Sequence, residues 1–371
     1  MKSFAAPVVL VLACSCLASS AHAADEAAIR AAVAKAAAFL EKRQAADGSL
    51  SAEVGPAVTA LAVTALVKSG TPVDAPVVQK AIARLLSFKR ADGGIYVPES
   101  PVSNYETALA MVALAACNQG GTYDKEIKGC EAYVKGLQWD EGEGKSPADP
   151  AYGGAGYGKK GRPDLSNTQF MIEALRSIGV SENDPAIEKA LVFVSRAQNL
   201  EGPANTTPFP ANNTSEDDKG GFYYTPAAGG ESQAGGSPEG GLRSYGSMTY
   251  AGLKSMIFAG LTKDDYRVKA ALKWLGRHYT FKENPGMGQA GIYYYFHTAA
   301  KSLDVLGVET FTDTSGKEHA WRAEISDEIL ARQKPDGSWV NENAKWMEDN
   351  PDLVTSYALL ALAYCLPPAG R

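Results

Sequence analysis

The sequence predicts an all-α fold, an α/α toroid of six helical hairpins with apolar inner helices and amphipathic outer helices. Amphipathic and nearly all-apolar segments of helical length alternate along the chain, as expected when one layer of helices encloses another. Glycine-rich loops join each amphipathic segment to the next apolar one, and they recur roughly every 45 residues, as between Gly48 and Gly93. Because the first and last apolar segments have no polar face to cap an open stack, closure into a ring is favoured.

The first hairpin illustrates how each element is assigned. Residues 25–44 have apolar side chains at helical spacing and a charged opposite side, so they form an outer helix. Residues 55–70 are apolar almost all round, with Pro56 suited to a first helical turn and Gly70 to a C-terminal stop. Five further outer and inner pairs are predicted at 77–90 and 105–117, 124–138 and 164–178, 186–198 and 245–260, 265–279 and 296–307, and 321–333 and 353–365.

The stretch 152–175 contains the most complete copy of the repeat. Its glycine loop, YGGAGYGKKG, permits the positive φ angles and close backbone approach of a tight turn. Asp164 or Ser166 can then cap the first turn of the inner helix that follows. Every such loop leads from an outer helix into an inner one, so the six inner N-termini gather at one end of the toroid. We expect the mouth of a ligand site at this end.

The longest connection, residues 199–243, is rich in Gly, Pro, Asn and Ser and lacks helical periodicity. A loop of this length at the mouth is typical of a lid or a cavity wall. A disordered surface insertion is the alternative. The aromatic run at 222–224 favours at least partial order.

Composition is that of an ordinary globular protein. The chain has 371 residues, 45% of them hydrophobic and 21% charged, and its net charge is −6. No block of Lys and Arg is long enough to follow a phosphate backbone, so we do not expect a nucleic acid partner. No P-loop, dinucleotide-binding fingerprint or HExxH sequence occurs, so neither a cofactor nor a bound metal is expected.

Residues 1–23 have the pattern of a secretory signal peptide. Lys2 supplies the positive start, residues 7–17 the apolar segment, and the A-H-A sequence before residue 24 the cleavage site. A lipoprotein signal ending at Cys14 is the alternative, and no other stretch is long and apolar enough to span a membrane. We therefore expect residues 24–371 to form a single toroid domain that is exported to the periplasm or the extracellular space.

Three cysteines remain after such a cleavage, namely Cys117, Cys130 and Cys365. Cys117 closes one predicted inner helix and Cys130 lies in the next outer helix, nearly equidistant from the turn at Gly120. An antiparallel hairpin would bring the two together. A disulfide in an oxidising compartment and two buried free thiols are both left open by the sequence.

The repeats resemble those of the squalene-cyclase and protein-prenyltransferase superfamily over essentially all of residues 25–366. The features that match are the Q-x-x-D-G-S loops at 44–49 and 333–338, the GGxGY loop at 153–157, and the apolar inner helices. The resemblance implies the toroid fold. The chemistry of the superfamily depends on a few additional residues, which have to be compared one by one.

Squalene-hopene-type cyclases carry an Asp-x-Asp-Asp-Thr sequence whose middle aspartate protonates the substrate alkene. The matching positions here read Asp164-Leu165-Ser166-Asn167-Thr168. The first aspartate is kept, but Ser166 stands where the acid would be, and a serine cannot protonate an alkene. We therefore interpret Asp164 as a helix cap and do not expect cyclase chemistry of that type.

The zinc site of the protein prenyltransferases is also incomplete. His297 in the sequence YYYFHTAAKSL resembles the ligand histidine, but S-M-T-Y at 247–250 stands where the family has its D-x-C ligands. The thioester proteins that share the toroid need a Gly-Cys-Gly-Glu-Gln sequence, and the related stretch at 285–289 has no cysteine. Neither zinc-dependent prenyl transfer nor thioester chemistry is expected.

The starts of the inner helices supply a ring of polar and aromatic side chains around the mouth. If the protein is an enzyme, the candidates for catalysis are His297, Asp164 and Glu106. Arg243 is the candidate for binding a carboxylate or a phosphate. The other ligand-binding candidates are Tyr105, Asn167, Tyr245, Tyr294 and Trp346. Further members of the ring, most of which also suit capping or packing, are Asn104, Thr249, Asp352 and Thr355. Glu348 and Asp349 lie with Trp346 in the last mouth loop, where they could line the rim or form an exposed polar loop.

Three hypotheses for function follow from the sequence. The first is a toroid of unassigned activity that binds a hydrophobic or amphiphilic small molecule in its central cavity. The second is an enzyme on a terpenoid or prenyl substrate whose acid differs from the cyclase motif. The third is an extracellular toroid that acts on polysaccharide or binds a protein partner. An apolar aromatic cavity would favour the first two hypotheses, and a wide polar groove the third.

Overall fold

The computed structural model describes residues 25–213 and 215–366. This part of the chain contains thirteen α-helices, twelve of which form two concentric layers. The outer helices are α1 (Glu26–Arg43), α3 (Pro76–Leu86), α5 (Asp124–Lys135), α7 (Pro185–Arg196), α10 (Tyr266–Arg277) and α12 (Trp321–Leu330). The inner helices are α2 (Pro56–Lys68), α4 (Ser103–Cys117), α6 (Leu165–Ser177), α9 (Gly246–Phe258), α11 (Ile292–Leu306) and α13 (Pro351–Cys365). Residues 1–23, where the signal peptide is predicted, lie outside the described residues.

The inner helices form a closed ring. Each packs against the next in the order α2, α4, α6, α9, α11 and α13, and α13 in turn packs against α2. Every outer helix lies against the inner layer, and α1 also contacts α12 where the ring closes. The predicted all-α toroid of six hairpins is thereby confirmed.

Burial explains the two sequence patterns. In α2 every residue from Pro56 to Leu66 is buried, because α2 touches an inner helix on each side and an outer helix behind it. In α3 the buried residues form a single stripe at helical spacing, which consists of Val77, Val78, Ala81, Ile82 and Leu85.

Glutamines at the ends of four outer helices tie neighbouring hairpins together. They are Gln44, Gln138, Gln198 and Gln333. Each donates from Nε2 to a carbonyl in its own glycine loop and to a carbonyl of the next outer helix. Gln333 makes the second bond to Ala32 of α1 at 2.9 Å. The last hairpin is therefore joined to the first by the same bonds that join consecutive hairpins.

Glycines in the loops allow this close approach. Five of them, Gly48, Gly93, Gly153, Gly220 and Gly337, have φ angles between 83° and 93°. A Cβ atom on any of the five would collide with the backbone of the next outer helix. Glycine is therefore required at these positions both for its backbone conformation and for the space.

Threonines of the inner helices form hydrogen bonds with the same loops. The hydroxyls of Thr59, Thr107, Thr168, Thr249 and Thr355 each accept the backbone N–H of a loop residue, at 3.0–3.2 Å. All five side chains are buried. Two candidates for the ring of mouth residues, Thr249 and Thr355, are thus part of the framework that positions the loops.

Some elements differ from the predicted ones. Helix α11 begins at Ile292, four residues before its predicted start, because the Glu348 carboxylate accepts the N–H groups of Tyr293 and Tyr294 in its first turn. The single turn α8 (Phe209–Asn212) and a two-stranded hairpin, β1 (Phe311–Thr312) with β2 (Glu318–His319), were not predicted. No helix in the described ranges is long and apolar enough to cross a lipid bilayer.

The three cysteines among the described residues are buried free thiols. Helices α4 and α5 pack together as the hairpin argument required, yet Cys117 and Cys130 are not bonded to each other. Cys365 is also a buried thiol. Of the two alternatives that the sequence left open, the structure has the free thiols.

Candidate functional site

A cavity of about 340 Å³ lies on the toroid axis at the N-terminal ends of the inner helices, and it is termed the central cavity. All six inner helices contribute to its wall. The long connection between α7 and α9 adds Tyr224 and Gln233. The cavity therefore lies at the end where the glycine loops gather.

Tyrosines dominate the wall of the central cavity. They are Tyr105, Tyr157, Tyr224, Tyr245, Tyr294 and Tyr357. The hydroxyl oxygens of Tyr105 and Tyr357 lie 3.3 Å apart, and the ring of Phe170 packs edge-on against Tyr105 with 5.3 Å between centroids. Burial raises the pKa of the Tyr105 and Tyr357 hydroxyls above the usual value, so they stay neutral and can donate hydrogen bonds. Apolar ring faces with few polar groups are typical of small-molecule sites.

Two exposed apolar side chains stand at the mouth. Trp346 and Met347 are 42% and 41% exposed, and they line the central cavity from the loop between α12 and α13. Both adopt a left-handed backbone, with φ angles of 58° and 63°. Two consecutive left-handed residues other than glycine are unusual. The structure thus places Trp346, a ligand-binding candidate, at the mouth.

Glu348 follows these two residues and also lines the central cavity, as predicted for the last mouth loop, while its carboxylate oxygens bond the surrounding loop. Its Oε1 accepts the backbone N–H groups of Tyr293 and Tyr294 at 3.0 and 2.8 Å, and its Oε2 accepts Asn341 Nδ2 at 2.7 Å. Burial raises the pKa of this carboxyl group, although these hydrogen bonds act in the opposite direction. Glu348 therefore holds the start of α11 to the last mouth loop.

Asp164 lies behind the wall of the central cavity. It is 2% exposed, and its Oδ1 caps α6 by accepting the backbone N–H of Asn167 at 2.9 Å. Its Oδ2 accepts Asn167 Nδ2 at 2.8 Å. Burial raises the pKa of Asp164 to about 6, even though hydrogen bonds from Asn167 and Tyr224 lower it. Ser166, at the position of the cyclase acid, lines the cavity itself.

Glu106 does not belong to the cavity wall. It is 2% exposed and faces a neighbouring loop, where its Oε2 accepts the backbone N–H of Val97 at 3.4 Å. Burial raises the pKa of Glu106 to about 6. The prediction that Glu106 faces the mouth was wrong, because the first turn of α4 directs this side chain toward the preceding loop.

Arg243 also lies elsewhere. Its side chain is exposed and lines a separate surface pocket together with Asp217, Asp218 and Glu239, beneath the long connection. The expectation that Arg243 holds an anionic group in the central cavity was therefore wrong. The chain turns between Arg243 and Tyr245, so that only Tyr245 faces the axis.

His297 lies further from the mouth along the toroid axis than predicted. It lines a small cavity further along the axis, termed the floor cavity, and its ring stacks on Tyr357 with 5.7 Å between centroids. Phe170 and Leu61 line both cavities, so the two cavities are neighbours along the axis. The prediction that His297 belongs to the mouth ring was wrong, because the additional first turn of α11 moves it down the axis. Burial lowers the pKa of His297 to about 3, so the imidazole is neutral.

A charged cluster surrounds the floor cavity. Glu173 Oε2 accepts Lys254 Nζ at 2.6 Å, and Glu173 Oε1 accepts Lys301 Nζ. Lys254 is fully buried, and the other two residues are less than 10% exposed. Burial acts to raise the pKa of Glu173, but the two ammonium groups hold it well below its usual range. Burial also lowers the pKa of Lys254 to about 8.

Two further members of the predicted ring, Asn104 and Asp352, have structural partners. Asn104 donates from Nδ2 to the Gly156 carbonyl at 2.7 Å. Asp352 accepts Arg43 Nε at 2.9 Å and the Ser51 hydroxyl at 2.8 Å. These bonds join the mouth loops to one another and leave the tyrosines to form the cavity wall.

Of the predicted site residues, Tyr105, Tyr245, Tyr294 and Trp346 meet in the central cavity, with Asp164 and Asn167 directly behind its wall. Sequence reasoning missed Tyr157, Tyr224 and Tyr357. It also missed the cluster around the floor cavity, although Glu173, Lys254 and Lys301 are charged residues inside otherwise apolar helices, which is a usable signal. In the described ranges no group of three His, Cys, Asp or Glu side chains is arranged to hold a metal ion.

No protein-family model matches the sequence, and no curated protein matches it either. Solved structures do match. The product complex of the type II terpene cyclase MstE from Scytonema with merosterolic acid A superimposes with a TM-score of 0.55 at 14% identity, over 91% of this chain and 97% of that chain. The complex of the same enzyme with its substrate geranylgeranyl dihydroxybenzoate gives a TM-score of 0.51 at 13% identity, over 92% and 98%.

A protein from Actinoplanes is similar to the same extent, with a TM-score of 0.51 at 14% identity over 91% of this chain and 99% of that chain. At these identities the likeness concerns the fold alone. The chain is a toroid with the architecture of a terpenoid cyclase.

Proposed function

We propose that this protein binds a hydrophobic or amphiphilic small molecule in the central cavity, with a terpenoid or prenyl compound as the best-matching class. The observation that carries the proposal is the tyrosine-lined cavity on the axis of a closed ring. Its volume of about 340 Å³ lies at the lower end of the range for small-molecule sites. Such a cavity suits an extended or folded hydrocarbon better than a sugar chain.

The chemistry of the wall supports this class of ligand. Ring faces and aliphatic side chains such as Val58, Leu61 and Met248 offer apolar contact, which stabilises a bound hydrocarbon by roughly 25 cal/mol per Å² of surface removed from water. Tyrosine hydroxyls and Gln233 at the mouth can hydrogen-bond a polar end group. The wall therefore offers apolar contact to the hydrocarbon part of an amphiphile and hydrogen bonds to its polar end.

The structural neighbours support the same class. The MstE structures contain a geranylgeranylated aromatic substrate and a merosterolic acid product within the same architecture. We also propose that the protein acts outside the cytoplasm, because residues 1–23 have the pattern of a signal peptide.

The experiment is a binding measurement with a matched pair of variants. The protein, expressed without residues 1–23, is titrated with prenyl alcohols of increasing chain length and followed by native mass spectrometry and tryptophan fluorescence. Ala57→Phe fills the central cavity, since Ala57 lines it. Ala34→Phe makes the same change on the exposed side of α1.

We expect at least one prenyl alcohol to bind the wild type and Ala34→Phe equally, and to bind Ala57→Phe at least about tenfold more weakly, a loss of 1.4 kcal/mol. The result against the proposal would be no binding of any alcohol in the series, or equal binding to both variants. Native mass spectrometry of protein purified from its own host's envelope would then identify a copurifying molecule, if one is bound.

An acid-catalysed enzyme on the same class of substrate is a second candidate, favoured by Asp164. A buried carboxylic acid whose pKa is raised to about 6 by burial is partly protonated near neutral pH and can serve as a general acid. It would have to act through the neighbouring Tyr157 or Tyr224, because Asp164 does not line the cavity. Incubation with prenyl substrates and analysis of products by mass spectrometry tests this candidate, and activity that survives in Asp164→Asn would contradict it.

A further inference from the structure

The floor cavity has unusual surroundings for its position in the core. Its volume is about 10 Å³, which is enough for one water molecule or one small ion. It lies beyond Phe170 and Leu61 as seen from the mouth, between the middle and C-terminal turns of α2, α4, α6, α11 and α13. Its polar lining consists of Thr64, Lys68, Glu173, His297, Lys301 and Tyr364.

The charges around this cavity do not balance. Lys254 and Lys301 both bond to Glu173, and among the described residues no other carboxylate bonds either ammonium group. Two buried positive charges therefore share one negative charge. A buried charge without a counter-charge is costly, and a bound anion removes that cost.

Unpartnered polar atoms nearby also point to a bound species. His297 lines the cavity, and its Nδ1 is buried without a hydrogen-bond partner among the described residues; Ser302 Oγ, on the same helix but outside the lining, is also buried without one. Thr298 Oγ1 on α11 is a third such atom by distance, although Tyr294 lies within its reach. Buried polar groups in native proteins almost always have a partner, either in the protein or in an ordered small molecule. All three lie on α11, on the helix that also carries Lys301.

We propose that the floor cavity is a binding site for a single monovalent anion, either a halide ion or a carboxylate group, held by the ammonium group of Lys301. The neutral imidazole of His297 and the hydroxyl of Tyr364 line the same space and can donate hydrogen bonds to the anion. The anion is either a free ion or the acidic end of a molecule that occupies the central cavity. This site is additional to the proposed function and does not depend on it.

The first test locates the anion by its anomalous scattering. Crystals of the protein are grown with bromide as the only halide, for the wild type and for two lysine variants. Lys301→Met removes the positive charge at the cavity, and Lys263→Met makes the same change on an exposed lysine that does not line it. We expect an anomalous peak in the floor cavity of the wild type and of Lys263→Met, and none in Lys301→Met.

The second test works in solution and does not require Lys301→Met to fold. Thermal unfolding is compared in bromide and in gluconate at equal ionic strength. We expect the wild type to unfold a few degrees higher in bromide, because a ligand that binds only the folded state stabilises it. Val112→Leu narrows the floor cavity without changing any charge, and should reduce this difference.

A pair of ligands then identifies the source of the anion. If the anion is the acidic end of a molecule in the central cavity, a fatty acid should displace bromide from the floor cavity and the corresponding alcohol should not. Neither displaces bromide if the site takes a free ion. Both outcomes support the anion site, whereas identical unfolding temperatures in bromide and gluconate together with no anomalous peak would overturn it. Binding of the alcohol in the central cavity reports on the proposed function separately.

Discussion

At the scale of single residues, Asp164 serves the fold and remains a candidate for chemistry. Its carboxylate caps α6 through the N–H of Asn167, which explains why an aspartate is favourable there without any catalytic role. The same burial that positions the cap also disfavours the charged form of the carboxyl group. The helix cap and the raised pKa of Asp164 therefore both result from its buried position at the start of α6.

Asp164→Asn should remove part of the pH dependence of stability. Because burial raises the folded-state pKa of Asp164 to about 6, the folded protein keeps a proton that the unfolded chain releases near pH 4. The contribution of Asp164 to the free energy of unfolding is fully present at pH values below the pKa of the unfolded chain. It is lost as the pH rises through 6, by on the order of 2–3 kcal/mol. Asparagine can keep the cap but does not titrate.

The measurement is urea unfolding of both proteins between pH 4 and 8. The free energy of unfolding of the wild type, minus that of Asp164→Asn, should fall by this amount across the range. Glu106 titrates in the same window, but it is present in both proteins and cancels in the difference. A difference that stays constant with pH would show that Asp164 is ionised throughout.

Individual site residues were harder to predict from the sequence than the elements that carry them. Five of the six inner helix starts were located to within two residues and that of α11 to within four, so Tyr105, Tyr245 and Tyr294 could be assigned to the mouth. Arg243 is only two residues from Tyr245, and the direction of its side chain depends on a loop backbone that has no period. His297 was placed too close to the mouth, because the start of α11 depends on a carboxylate supplied by a distant loop.

At the scale of elements, the loops between outer and inner helices determine how hairpins fit together. A loop glycine approaches the next outer helix, a glutamine bonds across to that helix, and an inner threonine accepts a loop N–H. The sequence signalled the glycines and the glutamines as a repeat. It did not indicate that these residues act between hairpins, since periodicity alone carries no information about partners.

A pair of glycine substitutions separates the close approach from the backbone conformation. Gly153 and Gly179 both have φ of 83°. A Cβ at Gly153 would collide with the carbonyl of Lys189, whereas nothing lies within 4 Å of one at Gly179. We expect Gly179→Ala to cost about 1 kcal/mol of stability, from the left-handed conformation alone. Gly153→Ala should cost about 1–3 kcal/mol more, because the loop must move away from α7.

Denaturant unfolding of the two variants measures both costs. Equal losses of stability would mean that the loop at Gly153 can shift without cost. The contact between the third and fourth hairpins would then be loose.

At the scale of the whole molecule, closure distinguishes this protein from an open stack of the same hairpins. In an open stack each unit contacts only its neighbours, and the two ends can unfold separately. Here α13 packs against α2, and Gln333 bonds to α1, so no hairpin is terminal. The composition of the inner helices predicted this closure, because neither the first nor the last has a polar side.

A closed ring should unfold in one step. We expect the denaturant transitions followed by tryptophan fluorescence and by far-ultraviolet circular dichroism to coincide. Tryptophans at positions 139, 274, 321 and 339 report on several hairpins, so partial unfolding of any one region would separate the two curves. Distinct midpoints would indicate that some hairpins open independently.

The junction formed by Gln333 also relates this chain to symmetric assemblies. At four of the six junctions a glutamine of one hairpin donates to the outer helix of the next, always in the same direction around the ring, as subunits bond in a head-to-tail cyclic oligomer. Such an arrangement grows without limit unless the rotation from one unit to the next divides the circle evenly. The toroid therefore resembles a cyclic hexamer whose six subunits are joined in one polypeptide chain. The number of repeats is then set by the rotation angle per hairpin, and a chain with one hairpin more or fewer would be left with an unmatched pair of edges.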